Sequence, residues 1–459
     1  MKPFTLSSIA LSLGLTAAAL GGSAGAHVGP LDPAFGDGGM RNYAFQAVNG
    51  GSNDQASVGC AAADGSFTVT GIASGENRLV TLRLKPDGDY DETYGAQGRV
   101  SVTLPGSPND FVPGLCQPDG HMVMARASTA AGEEQNLQIL RVLKHTGQLD
   151  PQFGSGGIVN LDLDAQVVTA LGRQEMPLGV NALPNGDIAV TGQAQLQDSS
   201  EYRGFIVLLA ANGSLKRARV FTTDISDNAT TTVEAPDGRL WVFGQNGRNG
   251  GAYRLTLSRT TLEQEDILER PLPFSNSAVV GAGRALDART VALAGAIRYN
   301  VRGNSADRVL LFVFDEDSAS VDELEPVTLD GQPVTIDLAP GRQLITVLPG
   351  RRVLLSGQIR PYSHMQHSGI YLGMAHVRRD GAIYTENGFG ATESSVIAFR
   401  PATPPCAGTP PEHRVSRLTL WLGMPVLVGG VTPDCGAEAN SEDYLVARMR
   451  PDYLFADGW

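Results

Sequence analysis

This 459-residue chain predicts an all-β fold, a seven-bladed β-propeller of four-stranded antiparallel blades, on three observations. The first is a turn motif at fixed spacing. Its copies are Leu31-Asp32-Pro33-Ala34-Phe35-Gly36-Asp37-Gly38-Gly39, Tyr90-Asp91-Glu92-Thr93-Tyr94-Gly95-Ala96-Gln97-Gly98 and Leu149-Asp150-Pro151-Gln152-Phe153-Gly154-Ser155-Gly156-Gly157. Gly36, Gly95 and Gly154 stand 59 residues apart, as do Gly39, Gly98 and Gly157. A fixed period of this size marks a supersecondary unit that buries its apolar face only against its neighbours. The second observation is a hairpin that recurs seven times. The third is that the two ends of the chain complement each other.

The chain opens with the marks of a secretion signal over residues 1–26. Lys2 gives a basic start, Leu6 to Leu20 is an apolar stretch too short to span a bilayer, and Ala24-Gly25-Ala26 is a small-x-small cleavage site. No later stretch reaches the ~20 apolar residues of a membrane helix. Residues 27–459 are read as one propeller domain that is secreted or periplasmic, monomeric and without a membrane span. The net charge of −13 and the lack of a basic run argue against nucleic acid as a partner.

Within the first complete repeat, Ala56 to Ala61 leads into the Asp64-Gly65 turn, and Ser66 to Gly71 forms the second strand. Leu79 to Leu84 is the third strand. The Pro86-Asp87-Gly88 turn and the Tyr94-Gly95 segment follow, and Arg99 to Leu104 completes the unit. Alternation, β-branched residues and Asp-Gly turns are hairpin signals. The hairpin returns at Pro118-Asp119-Gly120…Val123-Met124-Ala125, Pro184-Asn185-Gly186…Val190-Thr191-Gly192 and Pro236-Asp237-Gly238…Val242-Phe243-Gly244. Drifted copies follow at Leu286-Asp287-Ala288…Leu293-Ala294-Gly295, Pro349-Gly350…Leu355-Ser356-Gly357 and Leu422-Gly423-Met424…Val428-Gly429-Gly430. At the ends, Asp443 to Arg448 reads as a third strand, and the strand its blade lacks is Met40 to Phe45. Pairing those two segments closes the ring and removes its exposed edges.

Pro-Asp-Gly turns alternating with Leu-Asp-x-x-Phe-Gly-x-x-Gly resemble the delta-60 repeat family of bacterial secreted β-propellers. The resemblance covers Leu31 to Gly192, weakens from Arg217 to Arg400, where Phe-Gly is lost, and returns in part at Gly388-Phe389-Gly390. It implies a propeller and an extracytoplasmic location, and it carries over no catalytic residues.

The repeated turns fall on one face of such a disc, and the large apolar residues of the motif read as plugs between blades. The other face carries loops that differ in every copy, the usual place for binding residues. They run from Gly71 to Arg78, Ala127 to Asn136, Gln193 to Arg203, Gln245 to Tyr253, Ala296 to Asp307, Gln358 to Ser368 and Val431 to Asp443. Gly295-Ala296-Ile297-Arg298-Tyr299 and Gly357-Gln358-Ile359-Arg360-Pro361-Tyr362 align without a gap. Arg298, Tyr299, Arg360 and Tyr362, with His364 and His367 beyond, form the candidate ligand site. Arginine forks suit carboxylates and phosphates, and tyrosines suit sugar faces. The alternative is that these side chains pair with loop carboxylates and cover blade ends. His364 and His367 lack a third ligand, and Asp315-Glu316-Asp317 lacks the pattern of a calcium loop, so no metal site and no cofactor are expected.

Four cysteines remain. Cys406 and Cys435 fall on the variable face of the seventh blade and would close a Pro-rich loop, worth ~3 kcal/mol on the chain-entropy relation. Cys60 and Cys116 lie just before the first turn of successive blades. A bridge between them needs a Cα separation under ~7 Å, and two buried thiols are the alternative. The expectation for function is an exported, non-enzymatic propeller whose partner is an unidentified protein, polymer or carbohydrate. The alternative is a propeller enzyme of lyase, lactonase or glycosidase type, its site assembled from several blades at the axial funnel.

Overall fold

Alternating apolar and polar residues between Asx-Gly turns fold as antiparallel strands along the chain. The computed structural model describes residues 30–43, 54–73, 77–108, 112–129, 135–167, 171–221, 226–247, 250–272, 278–301, 304–326, 328–329, 332–333, 335–337, 342, 344–360, 369–385, 396–399, 412–432 and 443–450. Among them the one helical segment is a 3-10 turn at Pro349–Arg351. No helix among the described residues is long and apolar enough to cross a membrane. Residues 1–26, Cys406 and Cys435 lie outside the described residues.

The first sheet is Asp54–Ala61, Phe67–Ala73, Arg78–Leu84 and Arg99–Thr103, within two residues of the strands expected for the first repeat. Two other four-stranded sheets run from Ser226–Glu234 to Gln264–Arg270 and from Ala278–Ala285 to Ala319–Pro326. A nine-stranded sheet contains two sets. One is built on Met122–Thr129 and Gln135–Val142, the other on Leu171–Ala182, Ile188–Leu196, Tyr202–Leu209 and Leu215–Val220. The sets meet at one parallel pair, Gln174 beside Gln135. A six-stranded sheet is built on Arg352–Arg360 and Gly369–Val377.

The last sheet joins Glu412–Trp421, Met424–Thr432 and Asp443–Arg448 to the N-terminal strand Met40–Tyr43. Met40 pairs with Ala447 and Tyr43 with Tyr444. The first strands of the sheets pack side by side in chain order, and Glu412–Trp421 packs against Asp54–Ala61. The core lies between the sheets. One cluster joins Phe35 and Tyr43 to Phe67, Val69 and Leu82 of the first sheet and to Trp421, Val428 and Val446 of the last.

The three turn motifs fold alike. Asp32, Asp91 and Asp150 each accept the backbone N–H two residues on, at 3.0, 3.1 and 3.0 Å. Gly36, Gly95 and Gly154 take φ of 51, 55 and 55°, which a Cβ penalises. Phe35, Tyr94 and Phe153 are buried, as the plug reading expected. A third-strand arginine pairs with each motif aspartate: Arg448 Nη2 with Asp32 at 2.7 Å, Arg83 Nε with Asp91 at 3.1 Å and Arg141 Nη2 with Asp150 at 2.6 Å. Each guanidinium also lies over the motif's aromatic ring, 4.9 Å from Phe35, 5.8 Å from Tyr94 and 5.5 Å from Phe153. The motif thus ties each outer turn to its own sheet, and the N-terminal copy does this for the last sheet.

First strands carry a bulge at a recurring place: between Ala56 and Val58, Pro177 and Gly179, Ala229 and Thr231, Val280 and Gly283, and Val415 and Arg417. A bulge turns a carbonyl toward the partner strand. A Cβ on Gly71, Gly192, Gly244 or Gly429 would lie 2.0, 2.1, 1.9 or 1.8 Å from the oxygen of Gln55, Met176, Asn228 or Arg414. This is why the second strand of the hairpin keeps a glycine. In the last copy the structural equivalent is Gly429, one residue before the glycine that closes the aligned Val428-Gly429-Gly430.

Two expected loops are mostly strand. Gln193 to Arg203 belongs largely to the hairpin of Ile188–Leu196 and Tyr202–Leu209, and Ala296 to Asp307 to that of Val291–Val301 and Asn304–Phe314. Alternating residues there continue the ladder past the sheet edge. Asp315 closes a local turn, accepting from the N–H groups of Asp317 and Ser318.

Cys60 and Cys116 form a disulfide across the first two sheets, with Cα atoms 5.4 Å apart. It closes 56 residues, so the chain-entropy relation gives about 4 kcal/mol. The paired substitution Cys60→Ser, Cys116→Ser is expected to lower unfolding free energy by about that amount in urea titrations. An unchanged midpoint in the variant would contradict the assignment.

Candidate functional site

The residues that end the first strands of the last and first sheets decide whether the space beside each is filled. Trp421 and Ala61 are both the last paired residues of their first strands, opposite Met424 and Phe67. Trp421 fills the gap between the last sheet and the first. Its ring stacks on Phe67 at 4.7 Å, meets Phe35 edge-on at 5.6 Å and donates Nε1–H to Gly65 O at 2.9 Å. Ala61 is followed by Ala62 and Ala63, which cannot fill the equivalent gap. Between the first and second sheets a cavity of about 380 Å³ stays open. Ligand pockets begin at roughly 300 Å³.

The cleft has an apolar side, made by Ala61, Ala62, Ala63, Pro118 and Cys60 of the disulfide. Its polar side holds Asp64, Ser66, Thr68, Arg83, Asp119, Lys144 and His145. The Ser66 hydroxyl and N–H hold the Asp64 carboxyl below the usual carboxylate range. Arg83 is committed to structure: it donates to Asp64 and to Ser66 Oγ, and it pairs with Asp91. Lys144 donates Nζ–H to the Asp119 carbonyl, and its own N–H reaches His121 Nδ1 at 3.3 Å. His145 is exposed beside it. The cleft therefore presents methyl groups and a proline ring on one wall, and Lys144, His145, two carboxylates and hydroxyls on the other. It lies at the repeated turns, on the face opposite the variable loops.

The residues singled out from the sequence stand elsewhere. Arg298 and Tyr299 lie near the tip of the Val291–Val301 hairpin, in register with Asp307 and Ala306. Arg360 ends the strand Arg352–Arg360, opposite Thr335. Tyr362, His364 and His367 lie outside the described residues. Among the described residues no group of three potential ligands is placed to hold a metal ion. Motif reading missed the cleft because it arises from side chains that are too small. The available signal was Ala61-Ala62-Ala63, where the last copy carries Trp421.

No family model matches the chain, and no curated protein matches it. Solved structures resemble it at low identity. Puromycin hydrolase is 14% identical with a TM-score of 0.42, covering 85% of this chain and 53% of that one. The chain thus spans about half the length of that protein. An oligogalacturonate lyase in complex with manganese is 9% identical with a TM-score of 0.42, covering 90% of this chain and 98% of that one. The β-propeller domain of the Trilobed protease from Pyrococcus furiosus, described as having an open velcro topology, is 10% identical with a TM-score of 0.30, covering 67% and 86%.

Proposed function

We propose that the chain is an exported, seven-bladed β-propeller of the delta-60 repeat type that binds one unit of an acidic glycan in the cleft between its first two blades. Seven blades follow if the nine-stranded sheet is divided at its single Gln174–Gln135 contact and the six-stranded sheet counts as one. Closure is supported by the Met40–Tyr43 pairing with Asp443–Arg448 and by the circuit of first-strand contacts. Export is supported by the signal features of residues 1–26 and by a disulfide between sheets, since such bonds persist in oxidising compartments.

The observation that carries the binding reading is the open cleft itself. A sugar ring suits its apolar wall, and a carboxylate suits Lys144 and His145 on the other side. Calorimetry with uronate-bearing oligosaccharides is expected to give saturable binding. Ala62→Trp, which fills the cleft, should abolish it, and Lys144→Ala should weaken it about tenfold. Undiminished binding in the Ala62→Trp protein would remove the cleft from consideration.

A second reading, catalysis at the same place, is favoured by the presence of His145 with Asp64 and Asp119 on one wall. Imidazole and carboxylate are the usual proton carriers of general acid–base chemistry. Chromatography of the oligosaccharide after incubation separates the readings: intact material supports binding, and shortened or eliminated products support an enzyme.

A further inference from the structure

One first strand also carries a charge that no carboxylate among the described residues answers. Arg417, on Glu412–Trp421, is 4% exposed. It donates Nη1–H to the carbonyl of Gly114, on the first strand of the second sheet, and its buried Nε–H meets no acceptor among the described residues. Nor does a carboxylate among the described residues pair with it. Arg284, on Ala278–Ala285, lies close enough to oppose its charge. Burial works against the charged form of both side chains. These two arginines come from sheets separated in chain order by the six-stranded one. To act on one another they must project toward the space that the first strands enclose.

A guanidinium does not give up its proton in a protein, so burial cannot be relieved by neutralisation. Desolvated charges in known folds are paired or hydrogen-bonded. Arg417 has one carbonyl partner and a like charge for a neighbour. Its fork geometry matches an oxygen-rich anion, which would accept the free Nε–H and offset the repulsion from Arg284.

We infer that Arg417 and Arg284 form an oxyanion-binding site in the space enclosed by the first strands, separate from the cleft between the first two sheets. The ligand class is a phosphate, a sulfate or a carboxylate, either as a free ion or as the anionic end of a larger molecule.

The test uses the full chain in thermal melts and calorimetry, with inorganic phosphate, sulfate or glucuronate added at constant ionic strength against a chloride reference. The native midpoint is expected to rise with anion concentration, as mass action on the folded state requires. Stabilisation by the inorganic ions identifies a free-ion site, and stabilisation by glucuronate alone identifies the acidic end of a larger ligand. Either supports the site where it persists in Ala62→Trp, which fills the cleft, and overturns it where Ala62→Trp abolishes it. Arg417→Gln should lose the anion dependence while melting no lower than the native chain in anion-poor buffer. A merely structural arginine would not give that pair of results. If Arg417→Gln does not fold, Arg284→Gln should bind the same anion about tenfold more weakly. No midpoint rise in the native chain, or an equal rise in the folded variants, overturns the inference.

Discussion

Gly244→Ala is expected to destabilise the folded chain by more than about 4 kcal/mol, a loss few single substitutions reach. The new Cβ would lie 1.9 Å from Asn228 O and 2.7 Å from the Tyr253 hydroxyl. Neither neighbour can yield cheaply. Asn228 O belongs to the bulged first strand, and it already accepts the Tyr253 hydroxyl at 2.6 Å. The Asn228 side chain is also fixed, accepting the Gln245 N–H at 3.1 Å. Relief would require the bulge to straighten, which moves Thr230 and Thr231. Those residues bond the next sheet, Thr230 to Gly281 O at 3.0 Å and Thr231 to Gly283 N at 2.6 Å. One methyl group therefore strains a sheet and its neighbour together. Gly238→Ala is the control. It has nothing within 4 Å of its would-be Cβ, and its φ of 83° alone should cost about 1–2 kcal/mol. Urea titrations that give the two variants similar losses would refute the account of the recurring glycine.

The same glycine shows how far the sequence could be read. Its recurrence in Val69-Thr70-Gly71, Val190-Thr191-Gly192 and Val242-Phe243-Gly244 marked the second strand, because a backbone oxygen excludes every side chain there. The turn motif was legible for a similar reason: Asp, Phe and Gly each answer a local constraint that repeats. The pairing of Met40–Tyr43 with Asp443–Arg448 followed from counting strands at the two ends. What escaped were effects of pairing across the sheet. Arg83 and Arg141 precede their motif aspartates in the chain, whereas Arg448 follows Asp32 by nearly its whole length. The shared phrases Arg-Leu-Lys, Arg-Val-Leu-Lys and Arg-Met-Arg were a usable signal only once the sheets were aligned. Variability between copies reads as loop at Gln193 to Arg203 and Ala296 to Asp307, where the structure has hairpins. A strand that projects beyond its sheet varies just as freely. The candidate cleft is a further case, since a missing indole leaves no motif. Arg417 is another, because a lone arginine on an apolar strand shows its missing partner only in three dimensions.

Glu175→Gln is expected to raise stability at alkaline pH and leave it nearly unchanged in acid. Glu175 is 3% exposed, and its carboxyl meets the backbone of Leu163 in the turn of residues 162–167. Burial pushes its carboxyl up to about 8 from 4.5. The Leu163 N–H, which Oε1 accepts at 3.0 Å, opposes that shift, and the charges of Asp162 and Asp164 add to it. Oε2 is buried and makes no hydrogen bond among the described residues, although the Leu137 N–H lies near enough to oppose the shift as well. Between pH 4.5 and 8 the folded chain holds a proton that the unfolded chain has released. Stability then falls as pH rises across that window, by about 1.4 kcal/mol per unit and about 5 kcal/mol in all. Below the window both states are protonated and the term vanishes. Above it the folded chain carries a buried anion at full cost. Glutamine keeps the acceptor for Leu163 and cannot ionise, so its stability lacks this slope. The difference between variant and native unfolding free energies isolates Glu175 from every other titrating group. That difference should grow steadily through the window and level off beyond pH 8. A difference that stays constant with pH would mean that Glu175 is charged in the folded chain at neutral pH, and the turn above it would then have to supply donors that the closed arrangement lacks.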